Sequence, residues 1–135
     1  MIVPPFIKST SANFSSNTFK LALYTSSATI NENTTAYTTT NEVPSTGNYS
    51  AGGNTLTVSV TPTNSGNVAY VSFSNTSWAN ATITANGALI YNSSLSNAAV
   101  CVLAFGGDKT STNGTFAVNF PTADATNAII RLTAS

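Results

Sequence analysis

The sequence predicts an all-β chain, an antiparallel β-sandwich of Ig-like or jelly-roll-like type with about seven or eight strands. Three observations predict it. The polar positions are filled almost entirely by Ser, Thr and Asn, a mixture that favours strands and turns and disfavours helix. Apolar residues recur with a period of two, the pattern of a half-buried strand. Turn-forming Gly and Asn clusters separate these runs at short intervals, and no helical period occurs anywhere.

The elements follow in order. Phe19, Leu21 and Leu23 fall on one face of a strand, with Lys20, Ala22 and Tyr24 on the other. Leu56, Val58 and Val60 alternate with Thr55, Thr57, Ser59 and Thr61. The run 68–74 places Ala69, Val71 and Phe73 on one side, and the short run 87–92 is apolar on both faces. The run 98–105 is also apolar on both faces, which makes it the candidate central strand. Phe116, Val118 and Phe120 alternate with Ala117 and Asn119, and the run 128–133 closes the set. Turns are expected at 45–48, 52–54, 64–66, 106–108 and 113–114; Asn86-Gly87 suits either a tight hairpin turn or a strand entry. Pro62 and Pro121 each follow a strand, where a missing N–H costs little.

A length of 135 residues suggests one sandwich domain, 13–135, preceded by an extended arm, 1–12. Val3, Pro4, Pro5, Phe6 and Ile7 make that arm apolar, and its prolines keep it extended. It suits packing on a neighbouring subunit, or lying along its own sandwich. The start has neither a charged n-region nor a long apolar run, so no signal peptide is expected, and no apolar stretch is long enough for a membrane span.

The inventory of reactive groups is short. There are four acids, four bases, one cysteine and no histidine, for a net charge of zero. Acid–base catalysis, nucleophile activation and metal ligation draw mainly on the residue types that are scarce here. We therefore expect no catalytic residues, no cofactor and no metal, and a chain that is not an enzyme. Lys8, Lys20, Lys109 and Arg131 are scattered singly, which leaves no basic stripe for nucleic acid. Asp108 and Asp124 suit turn or cap roles better than a calcium site. Glu32 and Glu42 flank a Thr-rich loop and do not read as a glycosidase pair. Asn-x-Ser/Thr sequons begin at Asn13, Asn33, Asn48, Asn75, Asn80, Asn92 and Asn113, as chance supplies in so Asn-rich a chain.

Cys101, in an apolar run, reads as a small buried hydrophobe, and Trp78 as a core residue. Tyr37 and Tyr49, set in polar stretches, are the candidate surface contacts together with the arm. The neutral surface favours association. Without histidine and with few carboxylates, stability is expected to vary little between about pH 5 and pH 9.

The segments Phe19-Lys-Leu-Ala-Leu-Tyr-Thr-Ser-Ser-Ala-Thr, Thr-Asn-Glu42-Val and Gly-Asn-Tyr49-Ser-Ala-Gly-Gly-Asn-Thr-Leu56-Thr resemble, in that order, a family of small tailed-bacteriophage virion proteins. Trp78, Ala81-Thr-Ile-Thr-Ala, Gly87-Ala-Leu-Ile-Tyr-Asn-Ser, Leu103-Ala-Phe-Gly-Gly-Asp108-Lys-Thr-Ser, Gly114-Thr-Phe and Ala128-Ile-Ile-Arg131-Leu continue it, over residues 14–133. Asn86 stands where those relatives tend to be basic, and the Pro-Pro arm is individual to this chain. The resemblance implies a non-enzymatic virion structural protein and carries no catalytic residues over. The expected role is a capsid decoration (cement) protein on the outer surface of the phage head. Its expected partners are the major capsid protein and copies of itself, as a homotrimer. The alternative is a tail or fibre module that binds a host-surface glycan or receptor.

Overall fold

The computed structural model of the chain describes residues 13–133, and these form an all-β sandwich of two antiparallel sheets. Seven strands run in the order β1 (Phe19–Tyr24), β2 (Asn54–Leu56), β3 (Val58–Ser65), β4 (Val68–Phe73), β5 (Thr76–Asn92), β6 (Ala98–Val118) and β7 (Ile130–Thr133). One sheet has the order β2-β1-β5-β6 and the other β3-β4-β7. The alternating run from Thr55 to Thr61 is divided between them at Thr57, where the chain leaves one sheet and enters the other. Pro62 lies within β3, not after it. It is tolerated because β3 is an edge strand whose register shifts between Val60 and Thr63.

The run expected to be the central strand belongs instead to β6, an edge strand. Apolar side chains on both faces report cover above and below the sheet, not partners on both edges. One face of this sheet meets the main core, built around Leu21, Leu23, Phe73, Trp78, Ile83, Ile90 and Leu103. The other carries a second apolar cluster of Ala22, Tyr24, Leu89, Tyr91 and Ala99, covered by Ala28, Ile30 and Tyr37 from the loop after β1. Trp78 and Cys101 are buried, as the sequence predicts.

The turn signals at 106–108 and 113–114 lie inside β6, and Asn86-Gly87 lies inside β5. Opposite Asn86 the register jumps from Ala85↔Lys109 to Gly87↔Ala104, so that residues 105–108 bulge out of the ladder. Gly106 and Gly107 adopt φ of 76° and 144°, and the Asn86 amide donates to Asp108 Oδ1 at 3.0 Å across the bulge. The hairpin bends here. The rings of Phe105 and Phe116, from the two halves of β6, come within 6.4 Å of each other. The β5–β6 reversal is made at 93–97 instead, where Ser96 and Asn97 take positive φ.

Candidate functional site

Two features stand out, one buried and one concave. The buried one is built on Glu42. After β1 the chain loops away and returns so that Asn41–Val43 lie beside the end of that strand. Thr25 N–H donates to Asn41 O at 3.0 Å, and Val43 N–H donates to Leu23 O at 2.9 Å. This pairing carries Glu42 to the rim of the sheet, where it is only 9% exposed. Its Oε2 accepts from the Tyr37 hydroxyl at 2.7 Å; its Oε1 accepts from the Tyr49 hydroxyl at 2.7 Å and from Gly52 N–H at 2.6 Å. Three donors on a buried carboxylate replace the water it has lost.

The network reaches further. Tyr49 Oη also accepts from Leu23 N–H at 2.9 Å, Tyr91 donates to Gly52 O at 2.8 Å, and Tyr24 donates to Thr38 O at 2.6 Å. Tyr37 stacks on Tyr91 in the second cluster, with ring centroids 4.6 Å apart. Tyr49 packs against Trp78 in the main core, at 5.6 Å. Glu42 thus links one tyrosine from each core and ties the loop 25–53 to the sheet.

These positions correct the reading of Tyr49 as a surface residue and leave Tyr37 partly exposed. Tyr49 is 2% exposed and cannot serve as a surface contact, and Tyr37 is half-buried with its hydroxyl on Glu42. Polar sequence neighbours misled there: a loop that packs on a sheet face buries its aromatics whatever flanks them. The arm residues Val3, Pro4, Pro5, Phe6 and Ile7 lie outside the described residues.

The same network sets the alkaline limit of stability. Burial pushes the Tyr24 hydroxyl up to about 12; burial and the adjoining Glu42 carboxylate push Tyr37 and Tyr49 higher still, and Tyr91 also upward. Unfolded tyrosines ionise near pH 10. Above that pH the unfolded chain sheds protons that the folded chain keeps, so stability is full below about pH 10 and falls as pH rises through the folded values. The two fully buried tyrosines, 24 and 49, together account for roughly 3–4 kcal/mol at about pH 11.5. Melting followed by circular dichroism should be nearly level from about pH 5 to pH 9, then fall by about 10 °C at about pH 11.5. A level profile to that pH would refute the network's contribution.

The other acids are held structurally as well. Asp124 Oδ1 accepts from the backbone N–H groups of Thr126 and Asn127 at 2.8 and 2.7 Å, and the Asn127 amide donates to the same carboxylate. The Asn127 amide and these backbone donors hold its carboxyl below the usual range. This is the turn role expected from the sequence. Among the described residues no three His, Cys, Asp or Glu side chains come together as a metal site. Burial pushes the Cys101 thiol up to about 12, the opposite of an activated nucleophile.

The concave feature is an apolar groove of about 650 Å³ inside the bend of β6. Leu103, Phe105 and Phe116 line its wall, and Phe120, Pro121 and Ile129 close it on the C-terminal side. Lys109 and Thr110 supply polar lining. No signal in the local sequence marks this groove, because it exists only where two distant halves of one strand fold toward each other. Comparison of the chain with protein-family models, with curated proteins and with solved structures finds no match.

Proposed function

We propose that this chain is a non-enzymatic structural protein of a bacteriophage virion that decorates and cements the outer surface of the head. One observation carries the non-enzymatic part of the reading: Glu42, Asp108 and Asp124 each accept hydrogen bonds that fix a loop, a bulge or a turn. Acids used in this way hold backbone in place; they are not poised over a cleft for proton transfer. The ordered resemblance to phage virion proteins supplies the virion context.

The mechanism is mass action. A protein that binds the assembled lattice but not the dissociated subunits stabilises the assembled state. Ser, Thr and Asn dominate the exposed positions, and contacts made by such a surface depend on hydrogen bonds and apolar burial. They are therefore expected to be insensitive to salt. The outer edge of β6 beyond Ala99, past the short bridge that residues 35–37 make to its start, is the natural place for contacts with the major capsid protein or with other copies, since a strand edge offers backbone N–H and C=O groups for pairing. Immunogold labelling of intact source virions with an antibody to this chain tests the reading. Gold distributed over the heads is the expected result; gold confined to tails would overturn it in favour of a tail module.

A further inference from the structure

The two Asn-Gly pairs of the chain, Asn86-Gly87 and Asn113-Gly114, both sit at register shifts of the β5–β6 hairpin, and the fold treats them differently. We infer that Asn113 is a site of spontaneous deamidation, a modification that adds one negative charge to the edge strand β6, and that the fold protects Asn86 from the same reaction. This inference does not depend on the virion reading.

The chemistry needs only water and a base from solvent. The backbone nitrogen of the residue after an asparagine loses its proton and attacks the side-chain Cγ; a C–N bond forms, and Nδ2 leaves as ammonia. Water then opens the cyclic succinimide at either carbonyl. Opening at Cγ gives aspartate. Opening at the main-chain carbonyl carbon gives isoaspartate, in which the chain runs through the side-chain carbons. Glycine as the second residue favours the attack, because no Cβ obstructs the nitrogen.

The structure decides which pair can reach that geometry. Gly87 lies in β5 between two ladders, paired with Tyr24 of β1 and with Ala104 of β6, and it is buried. A Cβ there would stand 2.7 Å from the Leu103 carbonyl oxygen, so this peptide has no room to swing. The Asn86 side chain is tied as well, its Nδ2 donating to Asp108 Oδ1 at 3.0 Å. Gly114 lies in the edge strand and pairs on one side alone, with Ala81. Between that pair and Ile83↔Ser111, β6 carries one residue more than β5, so Asn113 sits in a bulge, exposed and with a φ of 49°. Thr82 Oγ1 accepts from its N–H at 3.1 Å and donates to its Oδ1 at a long 3.5 Å. Nδ2, the group that must leave, donates to no described residue. Opening one exposed bulge frees Gly114 N, whereas freeing Gly87 N breaks the middle of a sheet.

The product has one more negative charge than a parent whose net charge is zero. Incubation of the full chain at about pH 9, where the fold keeps its full stability, tests the assignment. Peptide mapping by mass spectrometry, with fragmentation that distinguishes isoaspartate from aspartate, follows both sites. Asn113 is expected to convert at least about tenfold faster than Asn86, a difference of about 1.4 kcal/mol in activation free energy, and to give both products. In urea the two rates are expected to converge, because unfolding removes the protection of Asn86. Gly114→Ala is the control within the folded chain. Gly114 has no positive φ, and an added Cβ meets only the Thr112 carbonyl oxygen, at 3.6 Å, so the fold tolerates alanine while conversion at Asn113 slows by a similar factor. Comparable rates at the two sites in the folded chain would overturn the inference. So would a contrast that persists in urea, which belongs to sequence and not to structure, or an undiminished rate in Gly114→Ala.

Discussion

Replacing Glu42 by alanine is expected to destabilise the chain by about 4 kcal/mol, the scale of breaking a buried, charge-assisted network. At this chain length that lowers the melting temperature by about 15 °C. The cause is what remains behind. The Tyr37 and Tyr49 hydroxyls and the Gly52 N–H all lose their acceptor, and at least the Tyr49 group is too buried for water to replace it. Glu42→Gln separates charge from geometry. The Gln carbonyl oxygen can still accept from Tyr49 and Gly52, while its amide faces the Tyr37 hydroxyl, which can turn to accept. A loss of about 1–2 kcal/mol is expected, well short of the alanine variant. Thermal denaturation of the three proteins checks the order. Equal melting temperatures for Glu42→Ala and the parent chain would show that the network holds nothing together.

Glu42 also shows where sequence reasoning reaches its limit. An acid in a chain with only four of them is conspicuous, but composition marks it as exceptional without saying why. Its partners lie both near in sequence, at Tyr37 and Tyr49, and far away, through Gly52 to Tyr91. The local part was legible in principle; the long-range part depends on how the loop closes over the sheet. Strand identity was more accessible. Apolar runs locate β1, β4 and β7 closely, because each run coincides with one whole strand and is bounded by polar or turn-forming residues. The long hairpin β5–β6 was not legible. Glycine and asparagine that usually mark turns here mark bulges, and a bulge and a turn need the same backbone freedom. Only the pairing partner distinguishes them, and pairing is not written in the local sequence. The same ambiguity hid the groove, which lies inside the bend that one of those bulges creates.

The largest single effect is expected from one added methyl group at Gly53. This residue has a φ of 73° and packs so tightly on β1 that a Cβ would overlap the Leu21 carbonyl and stand 2.8 Å from Ala22 Cα. Those atoms belong to a buried strand whose other side pairs with β5, so β1 cannot retreat without breaking that ladder. Nor can the turn move away: Gly53 N–H donates to Ser50 O at 3.0 Å, and neighbouring Gly52 is held by Glu42 from one side and Tyr91 from the other. Gly53→Ala therefore combines an unfavourable φ with a backbone collision, and a loss of about 5 kcal/mol or more is expected, enough to leave little folded protein. Gly66 supplies the control. Its φ of 60° is equally unfavourable to alanine, but an added Cβ there meets nothing within 4 Å. Gly66→Ala should cost only the conformational part, about 1–2 kcal/mol. Comparing the two by urea denaturation separates the terms, since both share the positive φ and only Gly53 has the collision. Equal losses would mean that the approach of the 50–53 turn to β1 imposes nothing, and that the glycine there is required for its backbone angle alone.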